Sequence, residues 1–150
     1  MLLKDRLVED MKAAMKAKEE GKVRLSVIRM VRAAIKNTEI EKQTELTDDQ
    51  VVEVLAREVK LRRDAIEEFS KADRLDKVRE LEEEVAILME YLPQQLTEDE
   101  IREMAKEIIA ETGAQGLKDL GKVMGIISAK TKGRADGRFV NQIVRELLSS

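Results

Sequence analysis

The chain has 150 residues, of which 43% are apolar, only 2% are aromatic and 39% are charged, and its net charge is -3. It contains no cysteine and no histidine, which excludes disulfides, thiol nucleophiles, imidazole bases and the commonest zinc ligands. Aliphatic residues must therefore fill the core, and with one proline and seven glycines this composition predicts an all-α protein.

Two helices are predicted at the start of the chain, because apolar residues recur at helical spacing from about Leu3 to Glu19 and from about Val23 to Glu41. Gly21 is expected to separate them. The apolar positions of the first helix are Leu3, Leu7, Met11, Ala14 and Met15. A basic flank is expected on the second helix, which carries Arg24, Arg29, Arg32 and Lys36.

A third helix begins after Thr47, because Thr47 and Gln50 fit a capping box. Its apolar positions are Val51, Val54, Leu55, Val59, Leu61, Ile66 and Phe69. A fourth helix is expected from about Asp76 to Met89, with the acidic run of residues 82–84 on its outer face.

The only proline, Pro93, interrupts this pattern within Tyr-Leu-Pro-Gln-Gln-Leu. We therefore predict an N-terminal domain of about four helices over residues 1–92 and a C-terminal three-helix domain over residues 93–150. A second capping box, at Thr97 and Glu100, begins the fifth helix, which ends at Gly113. The last two helices are expected over about Leu117 to Lys130 and Gly137 to Leu148.

Charge is segregated along the chain. Residues 1–36 hold ten cations and five anions, residues 37–113 hold 11 and 23, and residues 114–150 hold seven and three. Two basic ends can each form a local footprint for a polyanion, although solvated helix faces also explain them. Because the first ten residues lack the apolar run of a signal peptide, and no stretch reaches the length of a membrane span, we expect a cytoplasmic protein that does not contact membrane.

The main candidate site lies between Gly121 and Val144. Its candidate nucleic-acid-binding residues are Lys122, Lys130, Lys132, Gly133, Arg134, Gly137 and Arg138. Long cationic side chains and glycine backbone are both suited to phosphate groups. A purely structural reading is also open, in which Asp136 caps the last helix and Gly133 ends the one before it. Since Phe139 shares helical spacing with Ile143, we expect it in the core, and we expect RNA contacts through phosphate and shape.

Other chemistry finds little support, and we predict no catalytic residue, cofactor site or metal site. Residues 116–123 approach a phosphate-binding loop but lack the Ser or Thr after lysine, and a helix precedes them. Ser128 and Lys130 are two residues apart and point to different faces of a helix. Adjacent carboxylates also diverge on a helix, so caps and a solvated acidic face explain them.

Several motifs together resemble the GatB/YqeY family, and the resemblance runs nearly the full length of the chain. They are Asp-Met-Lys-Ala-Ala-Met-Lys at residues 10–16, Leu-Ser-Val-Ile-Arg-Met-Val at 25–31, Tyr-Leu-Pro-Gln-Gln-Leu at 91–96, Asp-Leu-Gly-Lys-Val-Met at 119–124 and Lys-Gly-Arg-Ala-Asp-Gly-Arg at 132–138. Small free-standing members resemble the C-terminal tail region of the B subunit of the aspartyl/glutamyl-tRNA amidotransferase.

This resemblance implies a two-part helical fold and a tail that helps to engage tRNA, while other parts of the amidotransferase carry the chemistry. We therefore expect a non-catalytic module that binds tRNA or another structured RNA. A role in glutamine-dependent tRNA transamidation, a carbon-nitrogen ligase reaction with glutamine as amide donor, is the enzyme-linked alternative, with amidotransferase or tRNA-synthetase components as partners. A protein-interaction adaptor that uses the acidic run of residues 82–84 is a third reading.

Overall fold

The structure, a computed structural model, describes all 150 residues. It contains seven α-helices and no strand, so the predicted all-α class is confirmed. The helices are α1 (Leu3–Lys16), α2 (Lys22–Lys42), α3 (Asp48–Lys71), α4 (Leu75–Met89), α5 (Glu98–Thr112), α6 (Leu120–Thr131) and α7 (Gly137–Ser149), with 3₁₀ turns at Lys18–Gly21 and Leu117–Asp119. No helix is both long and apolar enough to cross a membrane.

The chain forms two compact units, Met1–Leu92 with four helices and Pro93–Ser150 with three. Whether each unit is an independently folding domain stays a prediction. Both predicted capping boxes are present. The Thr47 hydroxyl accepts from the Gln50 amide at 3.3 Å and the Thr97 hydroxyl accepts from the Glu100 amide at 3.1 Å. Two ends differ from the prediction, because residues 18–21 and 117–119 form 3₁₀ turns outside α1 and α6.

The core of Met1–Leu92 is almost entirely aliphatic. It consists of Leu7, Val27, Ile28, Val31, Ile35, Leu46, Val51, Leu55, Val59, Ile87, Leu88 and Tyr91. Two expected core residues are exposed instead, Met15 at 50% and Leu61 at 53%. On α3 the buried positions are Leu55, Val59 and Arg62, at intervals of four and three, so Leu61 lies outside this stripe.

A buried arginine joins α3 to α4. Arg62, only 6% exposed, donates to Glu84 at 2.9 Å and to the side chain of Glu58 at 3.1 Å. It also donates to the Glu58 carbonyl oxygen at 3.0 Å, so two carboxylates and a carbonyl satisfy one buried guanidinium. Glu84 therefore contributes to the interior of the unit, whereas its neighbours Glu82 and Glu83 remain exposed.

Polar contacts attach the last residues of this unit to its first two helices. The buried Tyr91 donates its hydroxyl to Asp10, and the Arg6 guanidinium lies 4.5 Å from the centroid of the Tyr91 ring. Burial, with the hydrogen bond to Asp10 as the next cause, raises the pKa of Tyr91. Arg24 donates to the Glu90 carboxylate at 2.8 Å. Together these contacts fix the chain immediately before Pro93 against α1 and α2.

Gly21 lies where the chain turns from α1 to α2. It is buried, and a Cβ atom placed on it would fall on the backbone carbonyl of Ala14. The close approach of the two helices therefore requires glycine at this position for steric reasons.

The three helices of Pro93–Ser150 surround a second aliphatic core. Its buried residues are Ile101, Ala105, Ile108, Val123, Ile127, Val140, Ile143, Val144 and Leu148. Gly113 ends α5 as expected, with a left-handed φ of 68°.

Substituting Gly21→Ala is expected to lower the free energy of unfolding by about 1–3 kcal/mol, since backbone atoms of Ala14 must shift. Urea denaturation followed by circular dichroism measures this change. Ser26→Ala, at an exposed position of α2, is the control and should change stability by less than about 0.5 kcal/mol. A Gly21→Ala variant as stable as the control would contradict the close approach.

Glu39 should make the protein sensitive to acid. Its Oε2 atom accepts from Lys4 at 2.7 Å and from the Leu46 amide at 2.9 Å, and these bonds lower its pKa from 4.5. Since the folded-state pKa is lowered, the stabilisation is present above pH 4.5 and is lost as the pH falls through the folded-state value. Glu39→Gln should flatten the loss of stability below pH 4.5 in thermal melts. Glu41→Gln, on the same helix, is the control; an equal flattening there would contradict the assignment.

Candidate functional site

The turn between α6 and α7 is held by its own hydrogen bonds. The buried Thr131 accepts from the Arg134 amide at 2.8 Å through its carbonyl oxygen. Gly133 has a φ of 72°, which favours glycine. Asp136 accepts from the Arg138 amide at 3.0 Å and so caps α7. The structural reading of Gly133 and Asp136 therefore fits this geometry, and it leaves the cationic side chains unexplained.

The segment that begins this unit also fixes the turn. The Gln95 side chain donates to the Gly133 carbonyl oxygen at 2.8 Å and to that of Pro93 at 2.9 Å. The Leu96 amide donates to the Arg134 carbonyl oxygen at 2.8 Å. Residues 93–96 and 131–137 thus form one hydrogen-bonded substructure, which we call the clamp. Two motifs that lie far apart in the sequence meet here.

The clamp gives two of the predicted site residues a structural position. Gly133 is buried, so its role in the turn is its backbone conformation and its carbonyl bond to Gln95. Arg134 is half-buried and makes a long contact of 3.4 Å to the Gln94 carbonyl oxygen. Arg134 also makes a small contribution to the lowered pKa of Glu100, which the amide and hydroxyl of Thr97 dominate. It therefore lies close to the start of α5.

The other predicted site residues, Lys122, Lys130, Lys132, Gly137 and Arg138, are all exposed. On α6, Lys122 and Lys130 are eight residues apart and therefore share one side of the helix. Ile126 lies between them, and Gly121, Gly125 and Ala129 form the adjacent stripe; all four are exposed as well. We define the basic face as residues 121–130 of α6 on this side, together with Lys132, Gly137 and Arg138.

The glycines of the basic face have no packing reason to be glycine. A Cβ atom on Gly121, Gly125 or Gly137 would meet no atom within 4 Å, and none of the three has a positive φ. Glycine within a helix costs about 1 kcal/mol relative to alanine. A surface that keeps glycine at this cost is flat, and a ligand can approach its backbone closely.

The expectation that Phe139 lies in the core is wrong, because its side chain is 38% exposed. The buried positions of α7 are Val140, Ile143 and Val144, and Phe139 lies at the edge of this stripe. An accessible aromatic ring therefore follows directly after Arg138.

Charge is unevenly distributed within Pro93–Ser150. The unit holds nine cations and nine anions, yet α5 holds six anions and two cations, so the remainder carries seven cations and three anions. The basic face therefore belongs to a neutral unit with a strong internal asymmetry. No group of three or more carboxylates in the structure is arranged to hold a metal ion.

Sequence reasoning missed three features of the site: Gln95 of the clamp, the glycines of α6 and the exposure of Phe139. The Gln-Gln pair after Pro93 was a visible signal, but its partner lies 38 residues away. The glycines Gly121 and Gly125 recur at an interval of four, which places them on one side of a helix and was a usable signal.

The sequence matches the YqeY-like protein family over residues 4–148. This chain belongs to the YqeY-like family. Among its relatives is the altered inheritance of mitochondria protein 41, mitochondrial, of Pyrenophora tritici-repentis, which is 31% identical over 148 residues, 97% of this chain and 80% of the relative. The protein of the same name from Lachancea thermotolerans is 32% identical over 148 residues, 93% of this chain and 78% of the relative.

A shorter match connects the YqeY-like chain to an amidotransferase. Over 55 residues, 34% of the chain, it is 38% identical to a glutamyl-tRNA(Gln) amidotransferase polypeptide of Thermococcus sibiricus, and it covers 9% of that polypeptide. The resemblance expected from the motifs is thus confirmed. The two fungal relatives are named as mitochondrial proteins, so the cytoplasmic location expected for this chain stays a prediction.

Proposed function

We propose that this YqeY-like protein binds tRNA or another structured RNA through the basic face. The observation that carries the proposal is the combination of exposed cations with glycines that packing does not require. A polyanion needs both features, because ammonium groups neutralise phosphates and a flat backbone lets the phosphates approach. The relationship to an amidotransferase whose name includes tRNA supports the same ligand.

The geometry of α6 suits an extended anion. Lys122 and Lys130 are eight residues apart, about 12 Å along the helix axis. Two ammonium groups at that separation contact different phosphates of one strand, and Lys132 and Arg138 continue the cationic surface into α7. Because the clamp holds the turn in one conformation, little conformational entropy of the backbone is lost on binding.

Phe139 adds a contact that charge alone does not supply. Its exposed ring stands next to Arg138, and bases that leave a helix stack on such rings. The proposed ligand is therefore a folded RNA with unpaired bases beside its helical phosphates, as in the loops of tRNA.

Two alternatives are tested alongside. In the enzyme-linked reading the protein takes part in glutamine-dependent transamidation with amidotransferase or synthetase components. Amide transfer by the purified chain alone would replace the binding role by a catalytic one. In the adaptor reading the acidic run binds a protein, but Glu84 already holds Arg62, so only Glu82 and Glu83 are open for such a contact. The proposed location is the cytoplasm.

Replacing Lys130 and Lys132 together by alanine should weaken binding to total tRNA and lower the slope of log affinity against log salt by about 1.5. Fluorescence anisotropy at several salt concentrations measures both, with polyglutamate as a control for charge alone. The matched control is the double variant Lys60→Ala and Lys106→Ala, which removes the same charge from exposed positions of α3 and α5. Equal losses in the two double variants, or unchanged binding in both, would refute the assignment.

Substituting Gly125→Ala should change stability and binding in opposite directions. We expect the free energy of unfolding to rise by about 0.5–1 kcal/mol, since alanine is the better helix former and no atom obstructs its methyl group. Affinity for tRNA should fall because the methyl group holds the phosphates away from the helix. Gly116→Ala, where a Cβ is equally unobstructed but lies outside the basic face, is the control for binding. Higher stability with unchanged affinity would show that the glycine is not part of the contact surface.

A further inference from the structure

A second basic surface lies in Met1–Leu92, where the proposed RNA-binding residues play no part. A groove of about 460 Å³ runs between α1 and α2, and its charged lining residues are Lys4, Asp5, Arg29, Arg32, Lys36 and Glu39. Four cations thus face two carboxylates. A volume of this size is in the range of small-molecule sites.

One ion pair removes two of these charges from consideration. Lys4 and Glu39 are 2.7 Å apart, and Glu39 also accepts from the Leu46 amide at 2.9 Å. These contacts connect α1 to α2 and to the start of α3, so the pair belongs to the framework of the groove. Asp5 is then the one carboxylate that faces the three remaining cations.

The three remaining cations, Arg29, Arg32 and Lys36, form one stripe of α2, at intervals of three and four residues, and all are exposed. Like charges at these intervals destabilise a helix by about 0.2–0.5 kcal/mol per pair. Elsewhere the chain places carboxylates beside such cations, as at Arg102, which pairs with Glu98 at 3.1 Å and with Glu146 at 2.9 Å. The stripe on α2 is therefore a costly arrangement that an anion would relieve.

The walls of the groove strengthen this attraction. Leu7 and Ile35 line it and are buried, so the cations stand beside apolar protein, where their field is screened less than in bulk water. The Arg32 guanidinium lies 3.2 Å from the Met11 sulfur atom of α1, which directs it across the groove. Two guanidinium groups can each donate two parallel hydrogen bonds to phosphate oxygens.

We propose that this groove binds a compact anion with two or three linked phosphate groups. Arg29 and Lys36 are seven residues apart, about 10 Å along the helix axis, which a chain of linked phosphates spans and a single phosphate does not. The lining contains no aromatic ring, so recognition is directed at the phosphate groups rather than at a base. Such groups belong to pyrophosphate and to nucleoside diphosphates and triphosphates. This proposal does not depend on RNA binding by the basic face.

The test titrates inorganic tripolyphosphate into the full chain at low and moderate salt, with affinity measured by calorimetry and the binding site mapped by amide chemical shifts. We expect saturable binding with shifts concentrated at residues 4–8 and 29–39. The double variant Arg29→Ala and Lys36→Ala should lose about tenfold or more in affinity. The control, Lys42→Ala with Lys60→Ala, removes the same charge at exposed positions outside the groove and should bind normally. Circular dichroism verifies that both variants are folded.

Three results would overturn the proposal: no saturable binding at low salt, equal losses in both double variants, or shifts that map to residues 121–138. A further arm uses a short RNA duplex and orthophosphate. If the duplex shifts the groove residues and tripolyphosphate does not, the groove is an RNA contact and the linked-phosphate proposal is wrong. Orthophosphate binding as tightly as tripolyphosphate would also contradict it.

Discussion

Hydrogen bonds from Gln95 and Leu96 to the carbonyl oxygens of Gly133 and Arg134 are the constraint on which the C-terminal unit's surface depends. A short turn between helices has no core of its own, and without these bonds its backbone would sample several conformations. With them, the turn is held as firmly as the helices on either side of it. The position of each cationic side chain is consequently set by the backbone, and side-chain rotamers are the main freedom that remains.

Both units separate charge by helix. In Met1–Leu92 the cations of α2 line a groove with α1, while α3 and α4 carry most of the carboxylates. In Pro93–Ser150 the carboxylates are concentrated in α5. A net charge of -3 therefore conceals two local positive fields, which act over roughly 8–10 Å at physiological salt. The total charge of such a protein says little about the ligands it attracts.

The sequence was sufficient to predict the helices, both capping boxes and the end of α5, because each depends on residues within one or two turns of each other. It was insufficient at the edges of apolar stripes, where Leu61 and Phe139 have the spacing of core residues but lie just outside the buried sector. Periodicity gives the repeat of a helix and not the width of the face that its neighbours cover. The clamp and the α1–α2 groove depend on contacts between distant segments, which no local pattern reveals. The basic turn was visible because its charges and glycines are consecutive.

The contacts around Tyr91 have a topological consequence. Arg6 and Asp10, near the beginning of the chain, touch the residues that end the first unit, so the two ends of Met1–Leu92 adjoin. A module with adjoining ends can be inserted into a host polypeptide, or have its ends joined and be opened elsewhere, with little distortion of its core. The four-helix unit is thus suited to circular permutation, and to exchange between proteins by gene fusion.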